Sequence, residues 1–185
     1  MPGHGEQASE VLDFWFVQSQ PRQWFAKDPA FDALLRQRFL GLTRRAIAAE
    51  LDAWATEAAG GLALVLLLDQ FPRQIWRDTA MAFAGDPQAL PLSLRAVELG
   101  WLEAEPEQAR RQFWLMPLMH SEDLAVQEVA LPLFARFSDP RTADFARRHR
   151  DVIARFGRFP HRNALLGRVS SAEELAFLQR PGSRF

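Results

Sequence analysis

Three aspartate–proline pairs divide the sequence, at Asp28-Pro29, Asp86-Pro87 and Asp139-Pro140. An aspartate just before a helix can accept hydrogen bonds from the free backbone amides of the first turn. A proline suits the first helical position, because it has no amide hydrogen to leave unpaired there. The pairs therefore predict three helix starts. Ser170 and Glu173 have the spacing of a capping box and predict a fourth.

Apolar residues between these starts recur at the intervals of a helix. Phe31, Leu35 and Phe39 are spaced four residues apart, as on one face of an amphipathic helix. Valine and isoleucine, which favour strands, are sparse beside leucine and alanine. The run 62–68 is apolar on every side and predicts a buried central helix, which Pro72 should end.

These patterns predict an all-α chain of about eight to ten helices, arranged as an irregular bundle or a superhelix. The 185 residues, 48% of them hydrophobic, suit a single helical domain over residues 1–185, with a disordered tail over residues 1–8. The predicted helices, some of which should merge, cover residues 8–19, 29–50, 51–58, 61–71, 76–83, 87–99, 106–115, 121–138, 140–156, 160–167 and 171–180.

The composition excludes several classes of site. The chain has no cysteine, which excludes disulfides, thiolate metal sites and cysteine nucleophiles. The net charge of −1 gives no general argument for nucleic-acid or membrane binding. Residues 1–6 lack the basic and apolar regions of a signal peptide, and no apolar run approaches the ~20 residues that span a bilayer. We therefore expect a cytoplasmic protein with no membrane partner.

Positive charge is concentrated between Arg136 and Arg168, where nine arginines face three aspartates. Inside this stretch, Gly157 and Pro160 interrupt any helical period, so residues 155–163 predict a turn between helices. The arginines there repel one another unless an anion lies among them, which predicts an anion site. The alternative is a basic surface turn anchored in the core by its phenylalanines.

Two further polar clusters lie in apolar surroundings. In 69–73, an aspartate and a glutamine are costly to bury unless they are paired, and Arg73 is the nearest partner. This cluster is either a structural ion pair or one wall of a pocket. In 120–123, the serine and the two acids suit a helix start, but His120 needs another explanation. A histidine beside carboxylates can act as a general base, a metal ligand or a hydrogen-bond donor.

The segments 13–16, 68–73, 120–123 and 155–163 resemble the signature blocks of the bacterial domain-of-unknown-function 924 family. The resemblance extends from about Val11 to Phe185, and it implies an all-helical fold similar to tetratricopeptide superhelices. One departure is Gln74, where the family pattern usually has asparagine. The family implies no activity.

The leading hypothesis is a pocket that binds a small anionic ligand bearing a phosphate or a carboxylate, with hydrolysis through histidine acid–base chemistry. The candidate ligand-binding residues are Asp69, Arg73, Ser121, Arg155, Arg158, Arg162 and Asn163. The candidate catalytic residues are His120, His161, Glu122 and Asp123. On this hypothesis the arginines hold the anion, so Arg158→Ala should abolish binding.

Three other hypotheses compete with this one. A tetratricopeptide-like interaction module would hold an acidic peptide along a concave face. A metal site could use His149 and His161 with the 120–123 cluster, although the nearby arginines disfavour a cation, and we expect no metal. The basic and aromatic residues of 155–162 would suit single-stranded nucleic acid, which the neutral overall charge disfavours. No cofactor is expected, because the sequence has no glycine-rich phosphate loop or dinucleotide fingerprint.

Overall fold

The computed structural model describes residues 4–185, and every regular element in this range is a helix. Eleven α-helices follow one another there: α1 (His4–Asp13), α2 (Pro21–Phe25), α3 (Pro29–Ile47), α4 (Ala58–Val65), α5 (Phe71–Ile75), α6 (Asp86–Glu98), α7 (Trp101–Ala104), α8 (Gln108–Met119), α9 (Leu124–Phe137), α10 (Pro140–Phe156) and α11 (Ala172–Leu178). Short 3₁₀ turns cover Asp52–Thr56, Ala80–Phe83 and Pro160–Arg162.

Two π-helical segments, which are wider than an α-helix, lengthen these helices. Phe14–Gln18 continues α1, and Leu66–Gln70 joins α4 to α5 in one rod from residue 58 to residue 75. Counted with these merges, the described part of the chain has ten helices. The predicted all-α fold and number of helices are confirmed, while the tetratricopeptide-like arrangement stays a prediction.

Several predicted boundaries are wrong. The helices expected over 51–58, 76–83 and 160–167 are short 3₁₀ turns with irregular backbone around them. α2 and α7 were not predicted, because five and four residues are too few to show a period. Residues 4–8 belong to α1 rather than to a disordered tail, and residues 1–3 of that predicted tail lie outside the described residues.

The rod 58–75 is the centre of the fold. Each side chain from Leu62 to Leu68 is at most 3% exposed, as the apolar run predicts, and α4 contacts α1, α6 and α8. Pro72 does not end this rod, which continues to Ile75. The wide turn 66–70 comes just before the proline, where the helix must avoid a clash between the proline ring and a preceding carbonyl.

The caps agree with the sequence at two of the four predicted starts. The carboxylates of Asp28 and Asp139 accept hydrogen bonds from the first amides of α3 and α10. Asp86 makes no such bond and follows the cap position of α6. The capping box of α11 uses Ser171 and Glu174, one residue after the predicted pair, and the Ser170 hydroxyl instead accepts a hydrogen bond from the side-chain amide of Asn163.

A reversal of the chain after α10 brings distant parts of the sequence together. Gly157 ends α10 in the left-handed region, with φ at 69°, which glycine adopts without steric cost. The backbone amide of Phe159 then donates to Glu122 Oε1 at 2.7 Å, just before α9. The turn Pro160–Arg162 is thereby held beside the end of α8, where His120 lies.

No helix between residues 4 and 185 is both long enough and apolar enough to cross a membrane.

Candidate ligand-binding site

The most deeply buried part of the site is a carboxylate–imidazole pair. Asp69 lies in the wide turn 66–70 and is 0% exposed. Its Oδ1 is 2.7 Å from Nδ1 of His120. Its Oδ2 accepts a 2.6 Å hydrogen bond from the side-chain amide of Gln70. Burial alone would raise the pKa of Asp69, but His120 and Arg73 outweigh burial and hold this pKa at about 2. The carboxylate is therefore ionised at neutral pH.

The Asp69 carboxylate fixes the tautomer of His120. An ionised carboxylate only accepts, so Nδ1 of His120 carries the hydrogen and Nε2 keeps its lone pair. Burial, followed by the positive charge of Arg73, lowers the pKa of His120 against the opposing effect of Asp69. The ring is therefore neutral near pH 7 and able to accept a proton at Nε2.

Asp86 joins two arginines beside this pair. Arg73 donates from Nη1 to Asp86 Oδ1 at 2.7 Å and from Nη2 to Oδ2 at 2.9 Å. Nη1 of Arg162 is 3.5 Å from the same Oδ2. Arg73 Nη1 also lies 3.4 Å from Asp69 Oδ1, which confirms the ion pair predicted within 69–73. The two aspartates and the two arginines therefore share one network of charges.

Arg162 is the arginine of this network with an unused donor. It is 6% exposed, and its Nη2 donates to the backbone carbonyl of His120 at 2.9 Å. Its Nε is buried without a hydrogen-bond partner. Burial, and then the nearby charge of Arg73, lower the pKa of Arg162 to about 10, so the group stays charged at neutral pH.

Two more histidines lie next to these groups. The ring of His149 is 6.2 Å from that of His120, and its Nδ1 is 2.7 Å from the carbonyl of Phe145. Nδ1 of His161 is buried without a partner. Burial, with Arg162 as the next cause, lowers the pKa of His161 to about 3. Burial likewise lowers the pKa of His149 well below its ordinary value.

These groups border a cleft of about 1190 Å³. Its lining includes the three histidines described above and the amides of Gln70 and Gln74. The cationic lining is formed by Arg22, Arg73, Arg77, Arg141, Arg162 and Arg184, and the acidic lining by Asp78 and Asp139. The larger apolar side chains include Trp24, Phe25, Phe83, Met116, Phe145 and Leu165. The cleft thus has a cationic and histidine-rich part beside an aromatic part.

Residues 11–182 match the family described as bacterial protein of unknown function (DUF924). The chain belongs to this family. The match confirms the family that the four sequence blocks indicated.

A solved structure of a protein of unknown function from Agrobacterium tumefaciens has the same fold. The two chains are 40% identical, the similarity covers 96% of this chain and 99% of that one, and the TM-score is 0.90. None of the curated proteins matches the chain. Membership of the family therefore establishes the fold without naming a reaction.

Five of the eleven predicted site residues lie together at the cleft. They are Asp69, Arg73, His120, His161 and Arg162; Asp69 is held behind the lining by its bonds to the others. Ser121 and Glu122 instead border a smaller recess of about 200 Å³, which shares His120 and Arg162 with the cleft.

The predicted residues around the recess make bonds that hold the backbone. Glu122 accepts from both Nη atoms of Arg168 and from the Phe159 amide. The Ser121 hydroxyl accepts from the Asp123 amide, and the Asp123 carboxylate caps α9. These bonds explain Glu122 and Asp123 without a catalytic role.

The other basic residues predicted to bind the anion are also engaged elsewhere. Arg158 makes two hydrogen bonds to the Glu174 carboxylate, of 2.7 and 2.8 Å, and Arg155 bonds to Glu173. The Asn163 side chain donates to Ser170 and accepts from the guanidinium of Arg168. None of these three residues lines the cleft, so the anion site predicted from 155–163 is reduced to His161 and Arg162.

Sequence reasoning missed Asp86, Gln74 and the aromatic lining of the cleft. The sequence predicts Asp86 only as a helix cap, and it assigns no site role to the aromatic residues that line the cleft. The sequence does distinguish Gln74, because it has glutamine where the family pattern usually has asparagine, but it assigns no role to that residue.

Among residues 4–185, no three histidine, aspartate or glutamate side chains come together in a way that could hold a metal ion.

Proposed function

We propose that the cleft binds a small carboxylate- or phosphate-bearing ligand at Arg162, and that His120 acts as the general base in hydrolysis of an ester or phosphoester of that ligand. The observation that carries the proposal is the 2.7 Å contact between His120 Nδ1 and the fully buried Asp69, beside a buried arginine with an unpaired Nε.

The anion part of the proposal rests on unbalanced positive charge. Arg73 and Arg77 are neutralised by Asp86 and Asp32. Among the other four arginines of the lining, only Arg162 lies near a carboxylate of the described residues. Its Nη1 is 3.5 Å from Oδ2 of Asp86, which Arg73 already neutralises. An anion accepting from Nε of Arg162 would satisfy a buried donor and a partly paired charge together.

Three of those four arginines are exposed at the cleft. Arg22, Arg141 and Arg184 have no carboxylate partner in the part of the chain that the structure describes. Their charges would attract an anion toward the cleft from solution, and salt would screen this attraction.

The chemical part of the proposal rests on the neutral imidazole. Nε2 of His120 takes a proton from a water molecule, and the resulting hydroxide forms a bond to the acyl carbon or the phosphorus of the ester. The bond to the leaving oxygen then breaks, and the histidine returns its proton to that oxygen. Asp69 stabilises the imidazolium that exists between the two transfers, and Arg162 stabilises the negative charge on the reacting group.

Paired variants test the two parts. Inorganic phosphate is the binding probe, measured by calorimetry, and 4-nitrophenyl phosphate and mono-4-nitrophenyl succinate are the hydrolysis probes. We expect Arg162→Gln to weaken phosphate binding by about tenfold or more. We expect His120→Gln to reduce hydrolysis by about 10²- to 10⁴-fold while phosphate binding changes little.

The control is Arg158→Ala, which removes an arginine close in sequence but bonded to Glu174 away from the cleft. It should bind phosphate as the wild type does. Phosphate binding that is equal in wild type and Arg162→Gln would refute the anion site, and so would no binding by the wild type. Wild-type hydrolysis by His120→Gln, or no hydrolysis of either ester, would reject the catalytic part.

A further inference from the structure

The cleft is too large for a simple anion. A volume of about 1190 Å³ is slightly above the range of about 300–1,000 Å³ that is typical of sites for complete small molecules. A phosphate or carboxylate group would occupy only the corner beside Arg162. The remaining lining is therefore available to contact the rest of a larger ligand.

The ring of Phe83 adjoins the charged corner, and Phe25 is a second aromatic side chain of the cleft lining. The guanidinium carbons of Arg162 and Arg73 lie 4.7 and 5.5 Å from the centre of the Phe83 ring. Phe25 is 61% exposed although it stacks on Phe113, with ring centres 5.9 Å apart. Exposed aromatic area inside a cleft favours an apolar group on the ligand, because contact removes that area from water.

Gln74 supplies a buried acceptor that nothing in the described chain satisfies. It is 4% exposed, and its Nε2 donates to the Trp24 carbonyl at 2.9 Å. This bond fixes the orientation of the amide, since only the nitrogen can donate to a carbonyl. Oε1 is left buried without a partner, which is costly unless a donor reaches it.

We propose that the ligand is an amphipathic anion that also carries a hydroxyl or amino hydrogen-bond donor. Its anionic group accepts from Nε of Arg162, its donor meets Oε1 of Gln74, and its apolar body lies against Phe25 and Phe83. This inference rests on the anion site proposed above and narrows its ligand to hydroxy- or amino-substituted acids with an aromatic or aliphatic group.

Four carboxylates that differ by one group at a time test the inference: propionate, lactate, 3-phenylpropionate and 3-phenyllactate. Their affinities for the full chain are measured by calorimetry. We expect the hydroxyl group to tighten binding about tenfold in both pairs, as one buried hydrogen bond allows. We expect the phenyl group to tighten it about tenfold or more.

Two variants assign these gains to residues. Gln74→Leu should lose the preference for 3-phenyllactate over 3-phenylpropionate while binding 3-phenylpropionate as the wild type does. The matched control is Gln88→Leu, since Gln88 also donates to a backbone carbonyl, that of Ile47, but lies outside the cleft. Phe25→Ala should lose part of the gain from the phenyl group, and Leu99→Ala, another exposed apolar residue, should not.

The outcomes separate this inference from the proposed function. Equal affinity for lactate and propionate in the wild type, or a hydroxyl preference that survives in Gln74→Leu, overturns the role of Gln74. A phenyl group that adds nothing overturns the contact with Phe25 and Phe83. In both cases phosphate binding that depends on Arg162 would leave the proposed function intact. If neither phosphate nor any of the four acids binds, both proposals fail.

Discussion

A single buried carboxylate determines the chemistry available to His120. With Asp69 ionised, the ring hydrogen is held on Nδ1 and the free lone pair is on Nε2. A neutral group of the same shape would leave the imidazole in place but would no longer select this tautomer. The function of the site thus depends on the charge of Asp69 and not only on its packing.

Asp69→Asn should separate catalysis from binding. Because an amide can donate to the imidazole, the hydrogen of His120 would move from Nδ1 to Nε2, and hydrolysis of 4-nitrophenyl phosphate should fall by about 10³- to 10⁴-fold. Phosphate affinity should change less, because the unpaired Nε of Arg162 does not depend on Asp69. Nitrogen-15 NMR of the histidine ring reports the tautomer independently of activity.

The control is Asp32→Asn, which removes a carboxylate bonded to Arg77 and not to His120. An unchanged His120 tautomer and an unchanged rate in Asp69→Asn would contradict the role assigned to the buried carboxylate.

Single-residue pairings show what the sequence could and could not predict. The contact of Arg73 with Asp69 was predictable, because four residues apart on a helix lie on the same face. The stronger contact of Arg73 with Asp86 was not, because it requires α6 to pack beside the rod 58–75. The contact of Arg158 with Glu174 was also not predictable, because the two residues are sixteen positions apart and only the fold brings them together. Without that partner in view, the sequence predicted that Arg158 binds the anion.

At the scale of helices, the start of α6 connects packing to the site. Gly85 lies directly against the wide turn 66–70, so closely that an added Cβ would overlap the Leu68 carbonyl oxygen. The next residue, Asp86, joins Arg73 and Arg162. The position of the shared carboxylate is therefore set by a backbone contact that only glycine permits.

Gly85→Ala should destabilise the protein and weaken phosphate binding. The new methyl group would push α6 away from the turn 66–70, at a cost of about 1–3 kcal/mol, as overpacking usually costs. The shift would also move the Asp86 carboxylate from its two arginines. Thermal unfolding and calorimetry with phosphate measure the two effects.

Gly41→Ala is the matched control, because Gly41 lies inside α3 and an added Cβ there would meet no atom within 4 Å. It should stabilise the helix by about 0.5–1 kcal/mol. If Gly85→Ala were as stable as Gly41→Ala and bound phosphate normally, the close contact would not position Asp86.

At the scale of the whole molecule, the site makes the fold sensitive to acid. His120, His149 and His161 are all held neutral, with pKa values below the ordinary 6.5. Between those lowered values and pH 6.5 the unfolded chain binds more protons than the folded chain. Stability should therefore fall as the pH falls below about 6.5, and the loss from His161 should continue toward its folded pKa of about 3.

Urea unfolding at pH 7.5, 6.0 and 5.0 measures this dependence. The range stops above pH 4.5, so that the lowered pKa values of Asp69 and Glu174, both about 2, contribute little. The urea concentration at the unfolding midpoint should fall from pH 7.5 to pH 5.0 in the wild type. It should fall less in His161→Gln. A wild-type midpoint that stays constant from pH 7.5 to pH 5.0 would show that the histidines are not held neutral.

The fold class was predictable and the cleft was not. Capping residues and apolar spacing act over three or four residues, so they indicate helices such as α3 and α10 from the sequence alone. The cleft depends on the chain after Gly157 folding back over the start of α9, where Phe159 meets Glu122. No local pattern contains that contact, so the sequence predicted the separate walls of the site but not which residues line it.

The π-helical turn 66–70 contains one residue more than an α-helical segment of the same length would. Each residue of an α-helix rotates the chain by about 100°. Deleting one residue from this turn would restore a regular helix and keep the apolar run before it in register. If all residues were kept and the turn became α-helical instead, everything after it would rotate by about 100°, so Arg73 would move away from Asp86. A single extra residue therefore orients the two parts of one helix independently, one toward the core and one toward the site.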